Sequence, residues 1–150
     1  MGGTAGRRSL DELVAEAAAK IERLEPRAAL EAMREGATLV DIRSDGERER
    51  DGIVPGSLHV PRTVLEWRLD PASPWRSPHT PSLDDCVVLL CNHGFSSVLA
   101  ASTLVDLGFA RAGDVVGGFA GWCAAGLPVL RVDAGRPPPG ELAGMRGPDL

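Results

Sequence analysis

Residues 86–109 read CVVLLCNHGFSSVLAASTLVDLGF. The first five of these residues are continuously apolar and rich in β-branched side chains, the pattern of a strand buried on both faces of a parallel sheet. Small and polar residues around Gly94 follow, a composition suited to a tight loop. Residues 97–107 are helical in composition, and Gly108 followed by Phe109 supplies the glycine stop with an apolar residue behind it. Strand, loop and helix in this order predict an α/β fold, with Cys91 where the strand gives way to the loop, at the carboxyl edge of a sheet.

The flanking sequence repeats the alternation. Ser9 and Glu12 have capping-box spacing, and Leu10, Leu13, Val14, Ala17, Ile21 and Leu24 recur at helical period, which predicts a long first helix lying as a flap over the domain. Pro26 suits the first turn of a second helix and Gly36 its end. Strands are expected at 38–42 (TLVDI), 58–60 and 114–116, each short and apolar. Residues 44–52 (SDGERERDG) read as a polar connection or a short surface helix. Residues 61–85 are interrupted by prolines and read as irregular chain, with local order only at 64–69. Gly117-Gly118 breaks the last strand ahead of a short helix at 119–125. The expected architecture is a small, central, mostly parallel β-sheet flanked by α-helices. The expected organisation is a helical extension at 1–25, one domain at 26–132, and a flexible Pro/Gly-rich tail at 133–150.

A chain of 150 residues is long enough for one domain with its own core. Its net charge of −5 argues against nucleic acid or an anionic membrane surface as a partner. No apolar run is long enough to span a bilayer, and the N-terminal residues lack the apolar core of a signal peptide. A cytoplasmic location is therefore expected. The three cysteines, Cys86, Cys91 and Cys123, form an odd set without paired spacing and fit free thiols in a reducing compartment.

Cys91 carries the chemistry. The residues Asn92, His93, Gly94, Phe95, Ser96 and Ser97 can wrap around its sulfur, because Gly94 permits torsions that other residues resist. Successive backbone N–H groups in such a turn form a concave anion site, and the following helix adds the positive end of its dipole. Both favour thiolate over thiol, and Ser96 and Ser97 can donate further hydrogen bonds. The same cradle suits a persulfide anion or an oxyanion leaving group. This context points to nucleophilic attack by sulfur. Cys86, at the start of an apolar strand, and Cys123, beside Trp122, read as packing residues, although Cys123 also stands as a second thiol.

CNHGFSS at 91–97 resembles the active-site loop of rhodanese-like sulfurtransferases, which has the form Cys-x-x-Gly-x-Arg/Ser/Thr. It is similar to that of the small single-domain thiosulfate sulfurtransferases, whose loop also carries His-Gly and ends in Ser-Ser. LVDIR at 39–43, VPGSLHVP at 54–61, LVDLGF at 104–109 and VVGGFAGW at 115–122 resemble further landmarks of the family, in the family's order. VLEWRLDP at 64–71 is similar to an actinobacterial branch. The resemblance implies a rhodanese-like fold and a ping-pong transfer of sulfane sulfur through a Cys91 persulfide. The amides of residues 92–97 would cradle the sulfur. It implies no metal and no organic cofactor, a small anionic sulfur donor such as thiosulfate, a thiol or cyanide as acceptor, and a sulfur-carrier protein as a further candidate partner. Two positions depart from the pattern: Ser96 stands where many members carry arginine, and Ile53 replaces a histidine before the Pro-Gly turn.

Arg43, Arg62 and Arg68 are the candidate cations for the substrate charge that the loop lacks. Against this, Arg43 follows Asp41 by two residues, a spacing that suits a structural pair, and Arg62 and Arg68 have Glu66 and Asp70 close in sequence. Trp67, Trp75 and Trp122 read as core or cleft walls. Phe95 reads as lining the loop's entrance or as simple packing, and the His93 side chain is expected to face solvent. Cys91 and His93 lack a second ligand pair at metal-binding spacing. A phosphatase of the dual-specificity cell-cycle type would need arginine at position 97, which is serine. A non-catalytic binding or sensory module is the alternative from another class. Retention of Cys91 and Gly94 weighs against it, and the missing loop arginine weighs for it.

Overall fold

A computed structural model describes residues 6–132 and shows strands and helices in alternation. In chain order these are α1 (Leu10–Lys20), β1 (Glu22–Leu24), α2 (Pro26–Arg34), β2 (Thr38–Asp41), α3 (Asp45–Asp51) and β3 (Leu58–His59). A 3-10 turn at Arg62–Val64 then leads into α4 (Leu65–Leu69), followed by β4 (Cys86–Leu90), α5 (Ser96–Asp106), β5 (Arg111–Val115) and α6 (Gly118–Ala124). The five strands form one sheet in the order β1-β5-β4-β2-β3, and every pairing is parallel. The rhodanese-like α/β architecture expected from the sequence is present, with a sheet that is wholly rather than mostly parallel among the described residues. The tail expected at 133–150 lies outside the described residues.

The central strand β4 is buried on both faces, as its unbroken apolar run predicts. Val87, Leu89 and Cys91 point to one side. There they join Val40, Ile42 and Ala112 in a core closed by Ala100, Ala101 and Leu104 of α5. Val88 and Leu90 point to the other side and meet Leu39, Val115, Ala29, Phe119 and Trp122 under α2 and α6. Each fully buried leucine of this sandwich contributes about 1.5–3 kcal/mol. Capping boxes start α1, through Ser9 and Glu12, and α3, through Ser44 and Glu47.

Four expectations are corrected. The first helix ends at Lys20, earlier than the apolar repeat suggested. Ile21 is extended at the C-cap, and residues 22–24 form β1, which pairs with β5 at the sheet edge. Glu25 is extended ahead of Pro26, as a residue before proline prefers. Sheet pairing overrides the helical period here, so the domain's sheet begins inside the segment read as an extension. α1 itself packs on α5 with only Ala17 fully buried, while Leu10 and Leu13 remain exposed. The last strand lies at 111–115 rather than 114–116, because its register with β4 starts at Cys86↔Arg111. Trp122 is a core residue, whereas Trp67 and Trp75 are exposed on irregular chain and a short helix that place them at the surface. Cys123 is exposed on α6 rather than packed, while Cys86 is half-buried against the second core.

Candidate active site

β4 ends at Leu90, in the middle of the sheet, so Cys91 and its loop emerge at the carboxyl edge between the connections that follow β2 and β5. The Cys91 side chain is 6% exposed. Its Sγ accepts a hydrogen bond from the Gly94 N–H at 3.1 Å and lies 3.2 Å from the Ser97 hydroxyl. Burial alone would push this thiol up. Hydrogen bonds from the Ser97 hydroxyl and backbone, the Ser96 hydroxyl and the Gly94 amide outweigh it and hold the thiol below its ordinary value. The start of α5 at Ser96 adds its dipole to the same effect.

Four of the loop's carbonyls have donors, three of them from other elements. Those of Cys91 and Asn92 accept from the Phe119 and Ala120 amides of α6 at 2.8 and 3.0 Å, and that of Phe95 accepts from Val98. The Gly94 carbonyl accepts from the Arg23 guanidinium at 3.0 Å. With these acceptors occupied, the turn is free to aim N–H groups at the sulfur. Two glycines make that packing possible. Gly94 has φ +80°, and a Cβ on it would sit 2.8 Å from the Gly117 nitrogen. A Cβ on Gly118 would sit 2.4 Å from the Cys91 carbonyl oxygen, so the Gly117-Gly118 step is where the loop rests. The Asn92 amide also donates to Glu47 of α3, which ties the loop to the connection after β2.

Of the residues expected around the sulfur, Gly94, Ser96 and Ser97 bond to it, while the Asn92 amide turns to Glu47. His93, Phe95 and Ser96 are exposed. Phe95 is 78% exposed with its ring 6.5 Å from that of His93, so it stands at the entrance and packs into no core. The three candidate cations do not gather here. Arg43 is buried, bound to both Asp41 oxygens at 3.0 and 2.8 Å and to the Gly52 carbonyl at 2.8 Å, and its guanidinium lies 3.9 Å over the Phe119 ring. Its pairing with Asp41 is the one their spacing suggested. Arg62 pairs with Glu66 at 2.9 Å, and buried Arg68 donates to the Trp75 carbonyl at 2.8 Å.

The cation that does reach the loop is Arg23, which the sequence reading missed. In the β1–β5 register it stands opposite Asp114, and it binds that carboxylate through Nε at 2.9 Å and Nη2 at 3.1 Å. Asp114 is fully buried and also accepts from the Ser97 hydroxyl at 2.7 Å. One signal for this pair was legible: a carboxylate inside an apolar strand needs a buried partner. Its partner was concealed because Arg23 fell within a helical repeat.

A family model described as Rhodanese-like domain matches residues 25–125. The thiosulfate sulfurtransferase GlpE of Haemophilus influenzae is 33% identical over 105 residues, covering 69% of this chain and 90% of the relative. Among solved structures, a protein of unknown function from Rhodopseudomonas palustris, described as a possible tyrosine phosphatase, superposes with a TM-score of 0.76. It is 36% identical, over 87% of this chain and 99% of that one. The polysulfide-sulfur transferase homodimer of Wolinella succinogenes superposes with a TM-score of 0.65 at 28% identity, covering 81% of this chain and 87% of that one.

Proposed function

This chain belongs to the rhodanese-like domain family, and we propose that it is a sulfurtransferase that uses Cys91 as its nucleophile. The Cys91 thiolate attacks the outer sulfur of thiosulfate. The sulfur–sulfur bond breaks, sulfite leaves with the bonding pair, and Cys91 holds the transferred atom as a persulfide. A thiolate or cyanide then attacks that terminal sulfur, carries it away and returns Cys91 to the thiolate. The residue 92–97 loop offers its N–H groups to the persulfide's negative sulfur. A persulfide on a small thiol or on a sulfur-carrier protein serves equally as donor in this chemistry.

The observation that carries this reading is the donor set converging on Cys91 Sγ from Gly94, Ser96 and Ser97, which holds a nearly buried thiol below its ordinary value. The names of the sulfurtransferase relatives support it. The phosphatase description of one structural relative finds no matching site here. Position 97 holds a buried serine bonded to the Asp114 carboxylate, where that chemistry needs an arginine to clamp phosphate. The non-catalytic module remains the second reading, favoured by Ser96 at the loop's arginine position and by the pairing of Arg43 and Arg62 with carboxylates.

Intact mass after incubation with thiosulfate separates the two. Gain of one sulfur, removed by dithiothreitol and absent from Cys91→Ser, is the expected result. A folded protein with reduced Cys91 that gains no sulfur from thiosulfate or from a small persulfide would overturn the enzyme reading in favour of the module.

A further inference from the structure

Ser97 carries one hydroxyl hydrogen and has two claimants for it. Its Oγ lies 2.7 Å from Asp114 Oδ2 and 3.2 Å from Cys91 Sγ. An ionised carboxylate only accepts, so in the thiol state the hydrogen goes to Asp114 and the Cys91 S–H donates to Ser97 Oγ. In the thiolate state the sulfur has no hydrogen to give and needs donors. The Ser97 hydrogen can serve it only if Asp114, which has no exposed surface, keeps other partners. Arg23 supplies them through Nε and Nη2, and its Nη2 also holds the Gly94 carbonyl, whose own N–H points at the sulfur.

We propose that Arg23 and Asp114 form a positioning pair for Cys91, deciding through the Ser97 hydroxyl whether that hydrogen serves the carboxylate or the sulfur. The inference rests on the reading of Cys91 as the nucleophile. When the thiol loses its proton to solvent, Ser97 turns its hydrogen from Asp114 to Sγ, and the Arg23 fork alone then neutralises the carboxylate. No other atom moves between groups. The cation absent from the loop's own sequence is thus supplied from β1 at the sheet edge, one residue away from direct contact with the sulfur. The favourable charge interaction between Arg23 and Cys91 has the same sense. The other charged or titratable groups around the loop include Glu25, which acts on Arg23, Glu47, which is bonded to Asn92, Arg43, which lies over the Phe119 ring beside the loop, and His93 within the loop.

The pair makes opposite predictions for its two members, which a merely structural role would not. The test is the pH profile of iodoacetamide labelling, read at Cys91 by peptide mass so that Cys86 and Cys123 do not contribute. Arg23→Gln leaves Asp114 holding the Ser97 hydrogen and facing the sulfur with an unbalanced charge, so the Cys91 midpoint rises by about one pH unit or more. Asp114→Asn frees the hydrogen and leaves Arg23 unbalanced, so the midpoint falls by a similar amount. Arg23→Lys, which keeps the charge and loses the fork, recovers most of the shift. The double variant Arg23→Gln/Asp114→Asn returns close to the wild-type midpoint, and it carries no unpaired buried charge should Arg23→Gln fail to fold. Midpoints that move in the same direction, or stay in place in the folded variants, would overturn the proposal. Labelling requires no sulfur donor, so failure of thiosulfate transfer in the wild-type protein would remove the enzyme reading and leave this result standing or falling separately.

Discussion

β4 carries a cysteine at each extremity. Cys86 opens the strand and Cys91 follows its last residue, and the two behave in opposite ways. Cys86 is the less buried, yet burial pushes its thiol up against the opposing charge of Arg111. Cys91 is almost wholly enclosed, and its thiol is held below its ordinary value. Depth therefore does not decide thiolate character; the supply of donors does. In a parallel sheet followed by helices, the carboxyl edge is where loop amides and a helix start come together, and the amino edge has neither.

The comparison breaks most severely if the charge at the carboxyl edge serves substrate rather than fold. Arg43→Ala removes two charge-assisted hydrogen bonds from the buried Asp41 carboxylate and leaves it Arg48 at 3.4 Å, so unfolding stability should fall by about 3–5 kcal/mol, read from urea midpoints. A loss of sulfur transfer at unchanged stability would show instead that Arg43 serves the substrate. Gly118→Ala tests the support of the loop. The added methyl meets the Cys91 carbonyl at a backbone with φ +59°, so destabilisation of about 2–4 kcal/mol and loss of the Cys91 reactivity should appear together. Gly126→Ala, at φ +73° with open space around it, should cost only about 1 kcal/mol and leave Cys91 untouched.

The two thiols sharpen the comparison directly. At pH 7.5 iodoacetamide should label Cys91 faster than Cys86, since a thiol held below its ordinary value carries more thiolate than one pushed above it. Equal rates would mean that enclosure of Cys91 cancels its donors. The smallest effect concerns His59 at the end of β3, near the same edge. Burial holds its imidazole below the ordinary value, against a hydrogen bond with the Arg43 carbonyl at 2.8 Å. The unfolded chain therefore takes up a proton that the folded protein refuses. This contribution to stability is complete above about pH 6.5 and declines as pH falls below it, by at most about 1.4 kcal/mol per unit of pKa separation. Urea midpoints at pH 7.5 and 5.5 should show the decline, and it should shrink in His59→Gln.

Much of the carboxyl edge was legible beforehand because it is local. The apolar run at 86–90, the glycine at 94 and the helix that follows are neighbours in the chain, and their spacing alone puts Cys91 at a strand end. Asp41 and Arg43 are likewise close enough in sequence to be matched by eye. Legibility failed wherever a partner came from far away. Residues 22–24 continue an apolar helical period and become a strand only because β5 is available for pairing. Trp67 and Trp75 look like core by composition, and their exposure follows from the outward face of α4 for Trp67 and from the irregular chain at the surface for Trp75.

By itself, then, the sequence determined the alternation of strand and helix, the parallel sheet, and the glycine-bearing loop that follows Cys91, since each depends on periodicity, turn chemistry or contacts a few residues apart. Tertiary structure alone decided which charge answers that sulfur. Arg23 and Asp114 are separated by 91 positions and meet through strand register. Arginine pairs with whichever carboxylate is brought into reach of its fork, and pattern along the chain carries no record of that choice.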